Sequence, residues 1–225
     1  MRQAFNATRV YRITQLDWLA HIDVDEFILT RSPMPELLAQ VDEKCSHIAM
    51  QPVEMMDSPG NLHHFKRYAS PEERAVIYPQ FGPLVRGGFV GTASPKVMAR
   101  RGLADIRFGI HALRLRGDVV QGGGHLPGVE LGHAHAPDFA TFQRHMAYRL
   151  DKGSYHDRNN QPNPKGHLIR ALMDDPDPNA LRAFHTELCV PSPERLDLLA
   201  AHDMLRTERL DLDAKVARFF GKLEG

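Results

Sequence analysis

The segment that organises this sequence spans residues 17–29 and reads DWLAHIDVDEFIL. Its first half is mostly apolar, and three of the four residues from 23 to 26 are acidic. An apolar run that ends in carboxylates is typical of a buried strand whose C-terminal end lies at a cleft. Because side chains alternate along a strand, an extended backbone would direct Asp23 and Asp25 to one face and turn Val24 back into the core. We therefore predict a buried strand that delivers two carboxylates to a cleft.

The acidic pair is suited to a divalent cation. Two adjacent carboxylates are hard oxygen ligands, which favour Mg²⁺ or Mn²⁺ over zinc or copper and leave coordination positions for phosphate oxygens. The simpler interpretation is that these carboxylates cap a following turn or helix. Capping needs one acidic side chain, however, and this segment offers three. We predict Asp23 and Asp25 as metal ligands.

The composition is that of a globular protein of 225 residues, long enough to bury a sizeable core. Lys+Arg and Asp+Glu both number 28, so no overall electrostatic field attracts nucleic acid or an anionic membrane, and only a local basic patch could do so. The two cysteines, Cys45 and Cys189, match neither a disulfide framework nor a zinc spacing, which predicts a cytoplasmic protein. No apolar run approaches the ~20 residues of a membrane-spanning helix, so any association with a membrane would be peripheral.

Residues 18–29 resemble the D-x-D segment of GT-A glycosyltransferases, in particular family 2-like bacterial enzymes whose motif runs from a tryptophan through apolar residues to D-V-D-E-F. The resemblance implies that Asp23 and Asp25 hold a divalent ion, Mn²⁺ or Mg²⁺, and contact the ribose and phosphates of a nucleotide-sugar donor. Breaking a sugar–phosphate bond places negative charge on the diphosphate, and a Lewis-acidic cation stabilises that charge.

The resemblance extends to two later segments. A lysine-containing strand and a glycine-apolar-histidine element follow the motif in the family, and residues 95–100 and 109–111 match them. By this resemblance His111 is a third metal ligand or a diphosphate contact, and the alternative interpretation is a structural histidine. Lys96 and Arg100 would neutralise the diphosphate, although a solvated basic edge is an equally good interpretation of these two residues.

Two histidines, His133 and His135, precede a helix predicted over residues 138–152. Family members show a histidine before a helix that ends in Lys-Gly, and His135 and Lys152-Gly153 resemble that pattern. Positions i and i+2 of a strand share a face, so the histidine pair could also bind zinc. No third ligand at a recognisable spacing supports a zinc site.

A catalytic base is predicted only by position. If the reaction inverts the configuration of the sugar, a carboxylate must deprotonate the acceptor hydroxyl. Glu54 and Asp57 follow a strand predicted over residues 47–56 and are the candidates.

The sequence as a whole predicts an α/β protein with a partial GT-A sheet and a helical C-terminal region. A helix over residues 2–16 leads into the acidic strand, and the glycines at 122–124 separate a GT-A-like core, 1–121, from a mostly helical extension, 122–225. In the family, about three strands that hold the donor's base and ribose precede this helix. The resemblance therefore predicts a chain without that half of the donor pocket.

The principal prediction is a metal-dependent glycosyltransferase that moves a sugar from a nucleoside-diphosphate sugar to a glycan or surface-polysaccharide acceptor. One alternative is a truncated, non-catalytic relative of such an enzyme. The other is a haloacid-dehalogenase-like phosphatase, whose first motif Asp attacks phosphorus. In that phosphatase Lys96 and Asp174-Asp175 would take the remaining roles, but Glu26-Phe27 replaces the small residues that let the chain turn after the motif.

Overall fold

The structure is a computed structural model that describes residues 2–57, 60–121, 123–136, 138–152, 155, 161 and 163–221. It is a mixed α/β protein whose paired strands run mostly antiparallel. The strands are β1 (Trp18–Ala20), β2 (Glu26–Leu29), β3 (His47–Met55), β4 (Leu62–Lys66), β5 (Lys96–Arg100), β6 (Ile106–Phe108), β7 (Leu113–Leu115), β8 (Asp118–Val119), β9 (Glu130–His133) and β10 (Leu205–Arg209). The α-helices are α1 (Arg2–Ile13), α2 (Met34–Ala39), α3 (Pro71–Ile77), α4 (Phe139–Asp151), α5 (Pro164–Met173), α6 (Ala180–Cys189), α7 (Pro193–Ala201) and α8 (Leu212–Phe220).

The chain divides into two compact units, each built from two stretches of sequence. The first unit comprises Met1–Val53 and Thr92–His133, and the second comprises Glu54–Gly91 and Ala134–Gly225. The sequence predicted a single boundary after residue 121, whereas the observed units alternate along the chain. The predicted boundary residue, Gly122, lies outside the described residues. Pairing between strands that are distant in sequence produces this alternation.

In the first unit, β5 pairs antiparallel with both β1 and β3. Strand β9 pairs antiparallel with β2 and is also a neighbour of β3. The β2–β9 register places Glu26 opposite His133. This pairing places β9, from the second stretch of the unit, beside the acidic segment in the first stretch.

Helix α1 is confirmed, although it ends at Ile13 and not at residue 16. Hydrogen bonds to two strands of its own unit anchor it. The Tyr11 hydroxyl donates to the carbonyl of Arg100 at 2.6 Å, and the Thr8 hydroxyl accepts from the amide of Phe108 at 2.9 Å. Tyr11 and Thr8 are the buried residues of the helix.

The second unit confirms the predicted helical C-terminal region. Its core includes side chains from α4, α5 and α6, among them Phe142, Ile169 and Phe184, all fully buried. Helix α4 begins where predicted, because the Asp138 carboxylate accepts from the amide of Thr141 at 2.8 Å. The predicted helix stop at Gly153 lies outside the described residues.

Two segments of the second unit differ from the prediction. The polar, Pro- and Gly-rich sequence of residues 57–95 predicts an irregular connection, but this region contains β4 and α3. The apolar pattern of residues 207–223 predicts one helix, but residues up to Arg209 belong to strand β10. Strand β4 pairs with the end of β3, which directly precedes it, and with β10, which is distant in sequence. Within the described ranges, no helix has the length and apolar character needed to cross a bilayer.

Candidate metal centre

Asp23 and Asp25 lie in the turn between β1 and β2, and Glu26 is the first residue of β2. The amide of Glu26 donates to the carbonyl of Asp23 at 3.1 Å, and the Glu26 carboxylate accepts from the amide of Asp23 at 2.6 Å. Val24 at the tip of the turn is fully exposed, so the prediction of an extended strand with Val24 in the core is wrong. The physical reason is that Glu26 forms two hydrogen bonds with the backbone of Asp23, which close the turn. In a continuing strand these backbone groups would instead have paired with a neighbouring strand.

A buried lysine compensates the charge of this turn. Lys96 Nζ lies 2.8 Å from Asp23 Oδ2 and 3.6 Å from Glu26 Oε2, and the lysine side chain is completely buried. Burial raises the pKa of Glu26, while the hydrogen bond from Asp23 and the charge of Lys96 oppose that rise. Asp23 also accepts from the side-chain amide of Gln3 at 3.1 Å. Asp23 and Lys96, both predicted to bind substrate, are therefore engaged with each other.

Asp25 faces a histidine that the sequence analysis did not assign to the cation site. His133 is the last residue of β9, and its Nε2 lies 3.4 Å from Asp25 Oδ2. The Asp25 side chain is 35% exposed and the imidazole 7%, so a cation could reach the pair from solvent. A carboxylate oxygen and an imidazole nitrogen are both ligands that transition metals accept. The only sequence signal for this arrangement was the His-x-His pattern.

His135, the second histidine of the His-x-His pattern, belongs to the second unit. Within the second unit, His135 Nδ1 lies 3.2 Å from a guanidinium nitrogen of Arg149. A guanidinium only donates, so His135 Nδ1 accepts and the proton of the neutral ring is on Nε2. In this ring orientation His135 carries an N–H at Nε2, which is not available as a metal ligand.

His111 has a ring nitrogen available for a metal, but it is not part of the contact between Asp25 and His133. Its Nδ1 lies 3.2 Å from the carbonyl of Pro95, so Nδ1 donates and Nε2 keeps its lone pair. Burial and the charge of Lys96 lower the pKa of His111, which keeps the ring neutral at pH 7. Among the described residues, neither His111 nor Asp23 takes part in the contact between Asp25 and His133.

Arg100 has a structural role in the first unit. Its guanidinium donates to the carbonyls of Val41, Asp42 and Cys45 at 2.9–3.3 Å and lies 4.5 Å from the ring centroid of Trp18. These contacts use the donors that a diphosphate would need. The geometry therefore favours an anchor for the loop before β3 over the predicted substrate contact.

Glu54, one of the two predicted bases, is a buried anchor in the second unit. Its carboxylate lies 3.1 Å from Lys66 Nζ and accepts from the amides of Val90 and Gly91. Burial alone would raise the pKa of Glu54, but Lys66, His135 and the two amides outweigh burial and lower it to about 2. A general base needs a pKa near the working pH, so this carboxylate is poorly suited to the role.

The lowered pKa of Glu54 predicts that the free energy of unfolding decreases at acidic pH. Folding lowers the pKa of Glu54 from 4.5 to about 2, so the unfolded chain binds more protons between these values. The contribution of Glu54 is complete above the unfolded value and is lost as the pH falls toward 2. Urea unfolding at neutral pH and at about pH 3 should show a larger acid loss for the native chain than for Glu54→Gln. Equal acid losses would contradict this assignment.

Asp57, the other predicted base, is half-buried in the second unit. Burial raises its pKa, and the charge of Asp138 acts in the same direction. A raised pKa is what a carboxylate base at neutral pH requires. Asp57 therefore stays a prediction for the base.

Comparisons with known protein families, curated proteins and solved structures gave no match for this chain.

Proposed function

We propose that this protein is a metal-dependent glycosyltransferase with a GT-A-like site that takes its sugar from a nucleoside-diphosphate donor and transfers it to a glycan acceptor. The observation that carries the proposal is the contact between Asp25 and His133 in the first unit. It joins a carboxylate of the D-x-D turn to an imidazole, and the same turn is held by the buried Lys96.

The spacing of the pair fits one shared cation. Two ligands about 2.0–2.2 Å from the same ion, at an angle near 90–110°, lie about 2.8–3.6 Å apart. The observed separation of Asp25 Oδ2 and His133 Nε2 is 3.4 Å. The mixed oxygen and nitrogen set favours Mn²⁺ over Mg²⁺, which prefers an all-oxygen shell.

The chemistry of sugar transfer explains why such a site needs a cation. As the bond to the sugar breaks, negative charge collects on the diphosphate, and a bound divalent ion stabilises it. Two protein ligands leave coordination positions for diphosphate oxygens and water. The turn is stabilised by the contacts of Lys96 with Asp23 and Glu26. Asp25 is therefore positioned before the substrate binds.

Calorimetric titration of UDP and GDP, with and without Mn²⁺, tests the proposal. We expect diphosphate binding that depends on the metal, and release of the sugar from a matching donor. Absence of diphosphate binding in every condition would contradict a donor site. Metal-dependent binding without any sugar release or transfer would instead support the non-catalytic relative.

A further inference from the structure

Helix α1 exposes a face that is both apolar and basic. Phe5 and Ile13 are 69% and 66% exposed, and Arg2, Arg9 and Arg12 are exposed on the same helix. At about 100° per residue, these five side chains fall within an arc of about 100°. The helix sequence, RQAFNATRVYRI, contains no acidic residue that could compensate the arginines.

A fourth arginine, from β6, joins this face. Arg2, Arg9 and Arg12 of α1 line a groove of about 690 Å³ together with Arg107 and Phe5. None of the described residues that line the groove is acidic. The chain as a whole has equal numbers of basic and acidic residues, so this is a local concentration of positive charge.

The neighbouring strand adds to the same charge. In the β6–β7 register, Arg107 lies directly opposite Arg114. Like charges directly opposite each other destabilise a strand pair unless another group compensates them. An anion near Arg107 would provide that compensation.

The exposed face of α1 is both positively charged and apolar, and this combination favours one class of binding partner over the others. A small soluble anion would pair with the arginines but leave Ile13 in water. A second copy of the same helix would bring arginine against arginine, which is repulsive. An anionic bilayer surface satisfies both properties, because phosphate headgroups pair with arginines while Phe and Ile side chains enter the interface.

We propose that α1 docks this protein on an anionic membrane surface, with the helix in the plane of the headgroups. Phe5 and Ile13 enter the boundary between headgroups and acyl chains. The long arginine side chains extend to the phosphates, as basic residues do at membrane interfaces. This inference is independent of the proposed sugar transfer.

Co-sedimentation of the full chain with vesicles tests the proposal. We expect binding to phosphatidylcholine vesicles that contain phosphatidylglycerol, little binding to pure phosphatidylcholine, and a loss of binding at high salt. Arg9→Gln/Arg12→Gln should lower the partitioning roughly thirtyfold. Phe5→Ser/Ile13→Ser should lower it by at least about tenfold, since apolar burial contributes separately.

The matched control is Arg144→Gln/Arg170→Gln, which removes two exposed helical arginines from the second unit. It should bind vesicles like the native chain, and circular dichroism should show that every variant is folded. Equal binding to neutral and anionic vesicles, or an equal loss in the control, would overturn the proposal. The proposal would also be overturned if the protein bound no vesicles but bound inorganic pyrophosphate in a way that requires Arg9 and Arg12.

Discussion

Replacing Lys66 by methionine is expected to lower the free energy of unfolding by about 3–5 kcal/mol. The lysine side chain is 1% exposed, and its Nζ lies 3.1 Å from Glu54 Oε2. The same ammonium donates to the carbonyls of Gly88 at 2.7 Å and Leu188 at 2.5 Å. Methionine keeps much of the volume but leaves the Glu54 carboxylate buried without a cation, and two carbonyls without a donor.

Urea unfolding followed by circular dichroism measures this loss. Lys152→Met is the matched control, because the ion pair of Lys152 with Asp151 is largely exposed, and we expect a change within about 0.5 kcal/mol. The double variant Glu54→Gln/Lys66→Met removes both charges and should be more stable than Lys66→Met alone. A native unfolding midpoint for Lys66→Met would show that the buried pair is not a major source of stability.

Replacing Asp25 by asparagine is expected to weaken Mn²⁺ binding by a factor on the order of 100 or more. Asparagine keeps the shape of the side chain but removes the negative charge that a divalent ion requires. His133→Asn should produce a comparable loss, because His133 Nε2 lies 3.4 Å from Asp25 Oδ2. Asp23→Asn should weaken Mn²⁺ binding much less, since that carboxylate is engaged with Lys96 at 2.8 Å.

Titration of Mn²⁺ followed by electron paramagnetic resonance measures these affinities directly. Asp118→Asn, which changes an exposed carboxylate of the first unit, is the control and should bind Mn²⁺ like the native chain. Because Asp23→Asn leaves Lys96 buried without its nearest carboxylate, its stability has to be measured beside its affinity. Equal losses for Asp23→Asn and Asp25→Asn would favour the ligand pair predicted from the D-x-D pattern alone. Native affinity in Asp25→Asn would contradict the site.

Helices and several strands were predictable because their signals are local. Asp138 caps α4 through an amide three residues away, and Ser192 caps α7 in the same way. Strands β3 and β5 appear where strand patterns over residues 47–56 and 95–100 predicted them. The contact between the acidic segment and Lys96 was not predicted, because the sequence analysis placed Lys96 against a diphosphate and the acidic residues on a strand.

The arrangement of the candidate site was not predictable in the same way. Asp25 meets His133 only because β2 and β9 pair in one register, and Lys96 reaches Asp23 because β5 lies beside β1. The burial of Glu54 was not predictable from the sequence either. Glu54 is buried in an ion pair with Lys66, which makes this carboxylate poorly suited to act as a base.

The sequence by itself determined the helical C-terminal region, the main strands and a concentration of acidic residues near the N-terminus. Only the tertiary structure decided which of those carboxylates is compensated by a lysine and which one faces a histidine. The physical reason is that caps and periodicity depend on neighbouring residues, whereas ligand geometry and charge compensation depend on strand pairing and burial between segments far apart in the chain.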